Sequence, residues 1–249
     1  MRTFLRSERL GAEGFVHGFS TRAGGRSAGP FASLNLGGTV GDDPEAVAAN
    51  HRILAEAAGF AVTDFRTVEQ VHGDRVLLLD DAAPPPPGSQ ADAILAAAPD
   101  LVPAVRTADC VPVLLADPAS GKVAAVHAGW RGAIAGIPAA AVSMLEACGA
   151  RASALVAAVG PAIGRCCYEV SEELASRFAA AFGPGVVEGR RLDLREVVRR
   201  QLDARGIPSA SVELVGGCTA CDRALHFSHR RDEGRTGRHL SFVRSRPLS

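Results

Sequence analysis

Cys110 and His127 are the residues whose types and spacing first suggest chemistry. They lie in two apolar runs, TADCVPVLLAD and KVAAVHAGWRG, separated by a short polar segment. Asp117–Ser120 is typical of a turn, and we expect a four-residue hairpin loop closed by Ala116 against Gly121. In that register Cys110 lies directly opposite His127, with Cβ atoms roughly 4.5–5.5 Å apart. A loop one residue longer or shorter would put the two side chains on opposite faces.

A neighbouring thiol and imidazole have three possible uses. They can form a structural contact in the core, a nucleophile pair in which the imidazole lowers the thiol pKa, or two ligands of one metal ion. The third use needs another ligand, and His72 in EQVHGD is the leading candidate because it also ends a predicted strand before a turn. Three protein ligands with an open fourth position are typical of catalytic zinc. Spacing alone leaves all three uses open.

Seven motifs along the chain resemble, in order, those of the YfiH family, whose members are named laccase-domain polyphenol oxidases or purine nucleoside phosphorylases. The resemblance extends from about Val16 to Val243. The motifs are STRAGG, LNLG, EQVHGD, TADCVPVLLAD, AVHAGWRG, GPAIGRCCYEV and HFSHRRDEGRTGRHLSFV. In that family the histidine of QVHG, the cysteine of ADC and the histidine of HAGW bind zinc, so the resemblance implies a Zn²⁺ site at His72, Cys110 and His127.

The family also implies a fold and an activity. The expected fold is mixed α/β (α+β), with β-sheets flanked by helices as in the YfiH-like cysteine-hydrolase fold, in one catalytic domain over residues 1–249. The expected activity is zinc-dependent phosphorolysis of adenosine, inosine, guanosine and methylthioadenosine, together with hydrolytic deamination of adenosine. The partners would be purine nucleosides and phosphate.

Phosphorolysis needs a bound phosphate, and guanidinium groups hold phosphate through paired N–H donors. The candidate arginines are Arg22, Arg131, Arg230 and Arg231, with surface ion pairs as the alternative for each. Asn35 in LNLG is a candidate pocket residue, and a turn is its simpler interpretation.

Asp109 joins Cys110 and His127 as a candidate catalytic residue. It can act as a general acid or base, or it can orient a ligand histidine, and we favour the second role. Phe31 and Trp130 can stack on a purine or pack in the core.

Four other functions remain as alternatives. A His₂Cys set can bind Cu²⁺ in vitro, which fits a polyphenol oxidase, but laccase copper centres need many paired histidines and this chain has seven histidines and no H-x-H. Cys110 with His127 as base would suit a Cys–His hydrolase. The others are editing of peptidoglycan precursors and a purine sensor without turnover.

A second array, with two cysteines and two histidines, invites a metal interpretation that the spacing disfavours. CTACDRALHFSH has a C-x2-C-x4-H-x2-H array, but zinc fingers separate their ligand pairs by about twelve residues. We therefore expect thiols in the core or at a pocket edge here, core packing for the adjacent pair Cys166–Cys167, and a small apolar role for Cys148 near a helix end. The array comprises Cys218, Cys221, His226 and His229.

The elements that would position these residues are alternating strands and helices. FRTVEQVH and RVLLLD are predicted to be strands joined by a tight Gly73–Asp74 turn. A helix is predicted from an N-cap at Asp43 to Gly59, and another from about Pro138 to Gly149. The other predicted strands are GFVHGFST, LVPAVRTA, CVPVLLA, KVAAVHA, SALVAAVG, SVELVGG and HLSFVR, and the other helices are SEELASRFAAAFG and LDLREVVRRQLDARG.

Composition sets limits on partners and location. The chain has 249 residues with 27 basic and 27 acidic side chains, so its net charge provides no general attraction to nucleic acid or membrane. Because the N-terminus lacks an apolar targeting segment, we expect a cytoplasmic protein, active as a monomer or small homo-oligomer. Reduced cysteines are expected in that compartment.

Overall fold

The chain folds into strands and helices in mixed order, as the sequence predicts, and the computed structural model describes residues 3–246. The strands are β1 Phe4–Leu5, β2 His17–Ser20, β3 Phe65–Arg66, β4 Val76–Leu79, β5 Ala93–Ala96, β6 Val102–Thr107, β7 Val111–Ala116, β8 Val123–Ala128, β9 Val156–Val159, β10 Val187–Glu188, β11 Arg191–Leu192, β12 Val212–Leu214 and β13 His239–Val243. The helices are α1 Glu8–Ala12, α2 Pro44–Ala58, α3 Trp130–Ala135, α4 Ile137–Ala147, α5 Glu172–Phe182 and α6 Leu194–Ala204. No helix within this range is long and apolar enough to cross a bilayer.

Two larger sheets form the centre of the fold. One has the strand order β12-β9-β7-β8-β5-β4, and the other has the order β1-β2-β13-β6-β3. The strands β7 and β8 are buried along their whole length because each side of their sheet is covered. Val113 and Val126 face a core shared with α4 and α6, whereas Leu114 and Ala125 face a core shared with the second sheet. This double burial explains why both strands are continuous apolar runs.

The second sheet buries its other face under α2. Leu54 of α2 packs with Val102, Leu240 and Phe242 in a third cluster. Helix α2 has the predicted boundaries: the Asp43 side chain accepts from the backbone N–H of Glu45, and Gly59 ends the helix in the left-handed region. These caps satisfy backbone groups at the helix ends.

The hairpin register differs from the prediction by two residues. Ala116 pairs with Val123, so His127 lies opposite Pro112 rather than Cys110. The turn is displaced rather than lengthened: the backbone N–H of Asp117 donates to the Lys122 carbonyl, so the four-residue loop is 118–121. A shift of two preserves the side-chain alternation, so Cys110 and His127 still lie on the same side of the sheet.

One further prediction needs correction. FRTVEQVH contains only the short strand β3, which belongs to the second sheet, while β4 belongs to the first, so the two do not form a hairpin. The helix predicted from about Pro138 is confirmed as α4, which begins at Ile137. A short helix that was not predicted, α3, precedes it and is separated from it by Gly136, whose φ of 95° is accessible to glycine at little cost.

Candidate metal centre

Three nitrogen and sulfur ligands converge where β7 begins and β8 ends. His72, Cys110 and His127 each offer a ligand atom, and the three atoms lie within 4.8 Å of one another. The Cys110 Sγ is 4.0 Å from the His72 Nε2, and the two imidazole rings are nearly perpendicular, with centroids 4.7 Å apart. His127 is buried and His72 is exposed, so the group has one side in the core and one facing solvent.

Asp92, just before β5, organises two of the three ligands. Its Oδ1 accepts from the His127 Nδ1 at 2.8 Å and from the His72 backbone N–H at 2.9 Å. Its Oδ2 accepts from the backbone N–H groups of Gly73 at 2.6 Å and Val71 at 3.2 Å. The bond to His127 puts the proton on Nδ1 and leaves Nε2 free for a ligand. The sequence analysis missed this residue, because an aspartate in SQADAIL before a strand is typical of an ordinary turn.

The charges of Cys110 and His127 stabilise each other. Burial opposes ionisation of both groups, but the facing charges and their hydrogen bonds lower the pKa of Cys110 to about 6 and raise the pKa of His127 to about 9. Although burial acts in the opposite direction, hydrogen bonds from His127 and Gly73 hold the pKa of Asp92 below its usual range. At neutral pH the metal-free site is therefore a thiolate, an imidazolium and a carboxylate.

Gly129 keeps space open beside the ligands. It follows β8 and lies opposite Cys110 in the extended hairpin register. A Cβ at this position would lie 2.8 Å from the His72 Cδ2 and 3.2 Å from the Cys110 Sγ. The close approach of the His72 and Cys110 side chains therefore requires glycine here.

The loop that carries His72 is fixed by long-range contacts rather than by a strand. The Gln70 side chain forms two hydrogen bonds with the backbone of Arg106, one to its carbonyl at 2.8 Å and one from its N–H at 2.7 Å. His72 itself has a φ of 61°, and Asp109 on the opposite side of the site has a φ of 87°. Such conformations are uncommon outside glycine and concentrate at functional sites.

Asp109 connects loops around the site. Its Oδ1 accepts from the Thr219 hydroxyl at 2.6 Å and its Oδ2 accepts from the Arg230 backbone N–H at 2.7 Å. The expected role of orienting a ligand histidine belongs to Asp92 instead. Asp109 holds the segment of Thr219 and Arg230 against the start of β7.

Two of the four predicted arginines keep guanidinium N–H donors without a partner among residues 3–246. The Arg131 guanidinium stacks over the ring of Trp130 at 4.2 Å and forms no hydrogen bond or ion pair with any residue in the described range 3–246. Arg230 stacks on Tyr168 at 5.2 Å and donates from one Nη to the Glu169 carbonyl at 2.8 Å. Both guanidinium groups therefore have N–H donors left for an anion.

Arg131, Arg230, Tyr168 and Arg238 together are called the anion wall below. The sequence analysis identified neither Tyr168 nor Arg238. Burial and the charges of Cys110 and Asp109 raise the pKa of Tyr168 to about 12. The charges of Arg230 and Arg131 oppose this shift. Burial lowers the pKa of Arg238, while the same two anions oppose that shift. The charge of the Cys110 thiolate therefore acts on both side chains. Two sequence features could have pointed to these residues. Tyr168 is the single tyrosine and directly follows the CC pair, and Arg238 is the arginine of TGRHLS.

The other predicted binding residues use their polar groups within the protein. The Arg22 side chain donates to the carbonyls of residues 32 and 223. Arg231 forms a two-point ion pair with Asp232 and donates to the Thr219 carbonyl at 2.8 Å. Asn35 is buried, and its amide bonds Gly37, Asp42 and the Arg238 backbone. In the structure these three side chains fix loop conformations.

The two aromatic candidates, Trp130 and Phe31, have different surroundings. Trp130 is half-buried against the core beside α4 and supports Arg131, which fits the packing interpretation. Phe31 lies half-buried in a short 3₁₀ turn at Gly29–Phe31.

The remaining cysteines do not behave as predicted. Cys166 is exposed and Cys167 half-buried, so the adjacent pair does not pack in the core. Their sulfur atoms approach those of Cys218 and Cys221. The two histidines of the CTACDRALHFSH array are elsewhere: the His226 ring packs on His239 at 5.3 Å, and the His229 ring lies near Gly234. Cys148 caps the end of α4, as expected.

Comparison with known proteins agrees with this architecture. A family model described as multi-copper polyphenol oxidoreductase laccase matches residues 16–246. The chain is 44% identical over 226 residues to a protein of Deinococcus radiodurans named purine nucleoside phosphorylase, covering 89% of this chain and 86% of the relative.

Two solved structures have the same fold. The Bacillus licheniformis hypothetical protein YfiH superposes with a TM-score of 0.90 at 34% identity, over 98% of this chain and 97% of the other. YlmD from Geobacillus stearothermophilus superposes with a TM-score of 0.89 at 36% identity and the same coverage.

Proposed function

Because this chain belongs to the laccase-domain family of YfiH and YlmD, whose curated relatives include proteins named purine nucleoside phosphorylase, we propose that it is a zinc-dependent purine nucleoside phosphorylase. The observation that supports this most strongly is how Arg131 and Arg230, which keep free N–H donors, are attached to the ligand group: Arg131 follows His127 by four residues, and the Arg230 backbone N–H donates to Asp109, the neighbour of Cys110. A metal ion and a phosphate would then meet in one site. The sequence-predicted single catalytic domain is part of the proposal.

The ligand group fits Zn²⁺. Two imidazoles and one thiolate are common zinc ligands, and three protein ligands leave a coordination position for substrate. Asp92 fixes the His127 tautomer with Nε2 free, and the absent Cβ of Gly129 leaves room for the ligand side chains. When bound, such an ion supplies Lewis acidity to a substrate oxygen or to water. Copper would bind the same group in vitro, which accounts for the oxidoreductase name of the family model.

The residues of the chain provide phosphate binding and orientation. Arg131 and Arg230 hold the phosphate dianion through charge-assisted hydrogen bonds. Tyr168 is protonated at neutral pH, as an ordinary tyrosine is, so its hydroxyl is a hydrogen-bond donor; its raised pKa of about 12 extends this to higher pH. Asp109 keeps Arg230 in position through its backbone N–H.

The proposed reaction exchanges one bond of the nucleoside for another. An oxygen of hydrogen phosphate forms a bond to C1′ of the ribose, the bond from C1′ to the purine nitrogen breaks, and the phosphate proton ends on the departing base. The proposed substrates are adenosine, inosine, guanosine and methylthioadenosine. Hydrolytic deamination of adenosine at the same site is part of the proposal, since zinc sites with His and Cys ligands support that reaction on nucleobases.

The deciding experiment compares nucleoside turnover with and without phosphate. Zinc-loaded protein is incubated with adenosine or inosine, and the products are separated by chromatography. We expect free base and ribose 1-phosphate only when phosphate is present, and loss of both with Cys110→Ala but not with Cys148→Ala. Inosine formed from adenosine without phosphate reports the deaminase. No product in any condition contradicts the proposal.

A Cys–His hydrolase is the second candidate, and the ion pair of Cys110 and His127 favours it. A thiolate whose pKa is about 6 is a competent nucleophile at neutral pH. In chelator-treated protein we expect iodoacetamide to alkylate Cys110 with a rate that rises around pH 6, whereas bound Zn²⁺ should block the reaction. A zinc-loaded enzyme that is trapped covalently at Cys110 by substrate would support the hydrolase instead.

A further inference from the structure

Four cysteine sulfur atoms form a second compact group outside the site described above. Cys166 and Cys167 come from the loop after β9, and Cys218 and Cys221 from the loop after β12, about fifty residues further along the chain. All four Sγ atoms lie within 4.8 Å of one another. The Sγ of Cys221 is 3.5 Å from that of Cys166 and 3.4 Å from that of Cys167.

The backbone brings these two loops together before any ion is considered. Ala162 and Cys218 form an isolated parallel bridge, and the Thr219 N–H donates to the Ala162 carbonyl at 3.0 Å. Gly164 allows the close approach: a Cβ there would lie 3.2 Å from the Cys218 Cβ and 3.3 Å from the Cys166 Sγ. The group is therefore held in place by the surrounding fold.

One sulfur already accepts a backbone hydrogen bond. The Gly164 N–H donates to the Cys218 Sγ at 3.2 Å. N–H donors of this kind stabilise and orient a thiolate ligand around a metal ion.

The sulfur separations fit a single tetrahedral ion. Zinc–thiolate bonds of ~2.3 Å in a tetrahedron place the sulfur atoms roughly 3.8 Å apart, and the observed separations of 3.4 and 3.5 Å within a group spanning at most 4.8 Å bracket that value. A disulfide needs ~2.05 Å. A multi-iron cluster attaches its thiolates to different iron atoms, which spreads them further apart.

We propose that Cys166, Cys167, Cys218 and Cys221 bind one Zn²⁺ ion as a structural site separate from the His72–Cys110–His127 group. Four thiolates fill the tetrahedron, so no position is left for substrate. Four thiolates around a divalent ion carry a net charge of −2, and Arg191, which lines the groove next to Cys166 and donates to the Cys166 carbonyl, partly offsets it. Arg165 lines the same groove but is paired with Glu188 and Asp193.

The ion would connect the loop that carries Tyr168 of the anion wall with the loop that carries Thr219. Tyr168 directly follows Cys167, and Thr219, between Cys218 and Cys221, donates to Asp109 at 2.6 Å. Arg230 stacks on Tyr168. A closed metal site at this junction fixes the separation of the two loops, much as a disulfide would in an oxidising compartment.

Metal content and cobalt spectroscopy test the proposal without reference to activity. Full-length protein is purified under reducing conditions with Zn²⁺, and bound metal is measured per chain. We expect two ions in the wild type, one in Cys110→Ala, and one in the double variant Cys166→Ser/Cys221→Ser. Both of the cysteines replaced in the double variant are exposed, so these changes leave the core intact. Cys148→Ser is the matched control and should keep two ions.

Cobalt identifies the ligands independently of whether the double variant folds. Co²⁺ is added to metal-free Cys110→Ala, whose four-cysteine group is unchanged, and the expected result is the intense visible and charge-transfer absorption of tetrahedral Co²⁺ with four thiolates. Absence of that absorption overturns the proposal. So does a wild type that holds one ion and a Cys110→Ala variant that holds none, or mass spectrometry showing these cysteines joined as disulfides in the reduced preparation.

Discussion

Replacing Asp92 by asparagine removes one charge and one acceptor from the centre of the site while preserving the shape of the side chain. The wild-type carboxylate is fully buried and accepts four N–H donors, two at each oxygen. An amide has a single oxygen. In either orientation of the new amide, its NH₂ group therefore faces two of those donors.

The two orientations have different consequences, and both weaken the site. If the amide oxygen faces His127, the N–H groups of Val71 and Gly73 lose their acceptor and the His72 loop is released. If the NH₂ faces His127, the imidazole must accept at Nδ1 and carry its proton on Nε2, where it cannot bind a metal. Two unpaired donors that are partly buried cost about 2 kcal/mol, and loss of a carboxylate partner of a ligand histidine lowers metal affinity roughly 10–100-fold.

The assay is zinc competition against a chromophoric chelator, combined with thermal unfolding with and without EDTA. We expect Asp92→Asn to bind Zn²⁺ at least tenfold more weakly and to unfold at lower temperature even without metal. Asp117→Asn is the matched control, because this buried aspartate accepts from the Ser120 hydroxyl at 2.6 Å, and a hydroxyl can reverse its role toward an amide. Wild-type zinc affinity and unfolding temperature in Asp92→Asn would refute the reasoning.

Three further predictions concern the anion wall, the ligand pocket and the stability of α6. Arg131→Ala should raise the KM for phosphate roughly tenfold with a smaller change for nucleoside, and equal changes in both would contradict a phosphate role. Gly129→Ala should lower zinc affinity roughly tenfold, because the new Cβ meets the His72 ring at 2.8 Å, whereas Gly11→Ala, which meets no atom within 4 Å, should not; isothermal titration separates them. Glu196→Gln should reduce the free energy of unfolding by about 1 kcal/mol at pH 7. Two arginines one turn along α6 lower the pKa of Glu196 from 4.5 to about 2, so this stabilisation is complete above pH 4.5 and lost as the pH falls to about 2. Urea unfolding across that range should show the difference from wild type disappear, and a constant difference would exclude the ion pairs as its cause.

The hairpin shows how far local pattern determines the site. Alternation in β7 and β8 predicted that Cys110 and His127 share a face, and that prediction is confirmed. The pairing partner was wrong, because the turn is displaced by one residue: Asp117 pairs with Lys122, and the four-residue loop is 118–121. As a result Gly129, rather than His127, lies opposite Cys110. The alternation of side chains between the two faces is unchanged.

Long-range contacts account for the features that the sequence did not reveal. His72 was expected at the end of a strand, yet its position depends on Asp92 and on the contact of Gln70 with Arg106, neither of which leaves a periodic signal. The same holds for the four cysteines. CC and C-x2-C lie far apart in the chain, and only the bridge at Cys218 brings them together.

The convergence of His72, Cys110 and His127 on one metal ion is tested most directly by anomalous diffraction at the zinc edge from crystals of the zinc-loaded protein. A peak within bonding distance of the Cys110 Sγ and of one nitrogen from each imidazole, absent in crystals of Cys110→Ala, is the predicted result. Wild-type crystals with no anomalous density between these three side chains, although zinc is bound elsewhere in the chain, would contradict it.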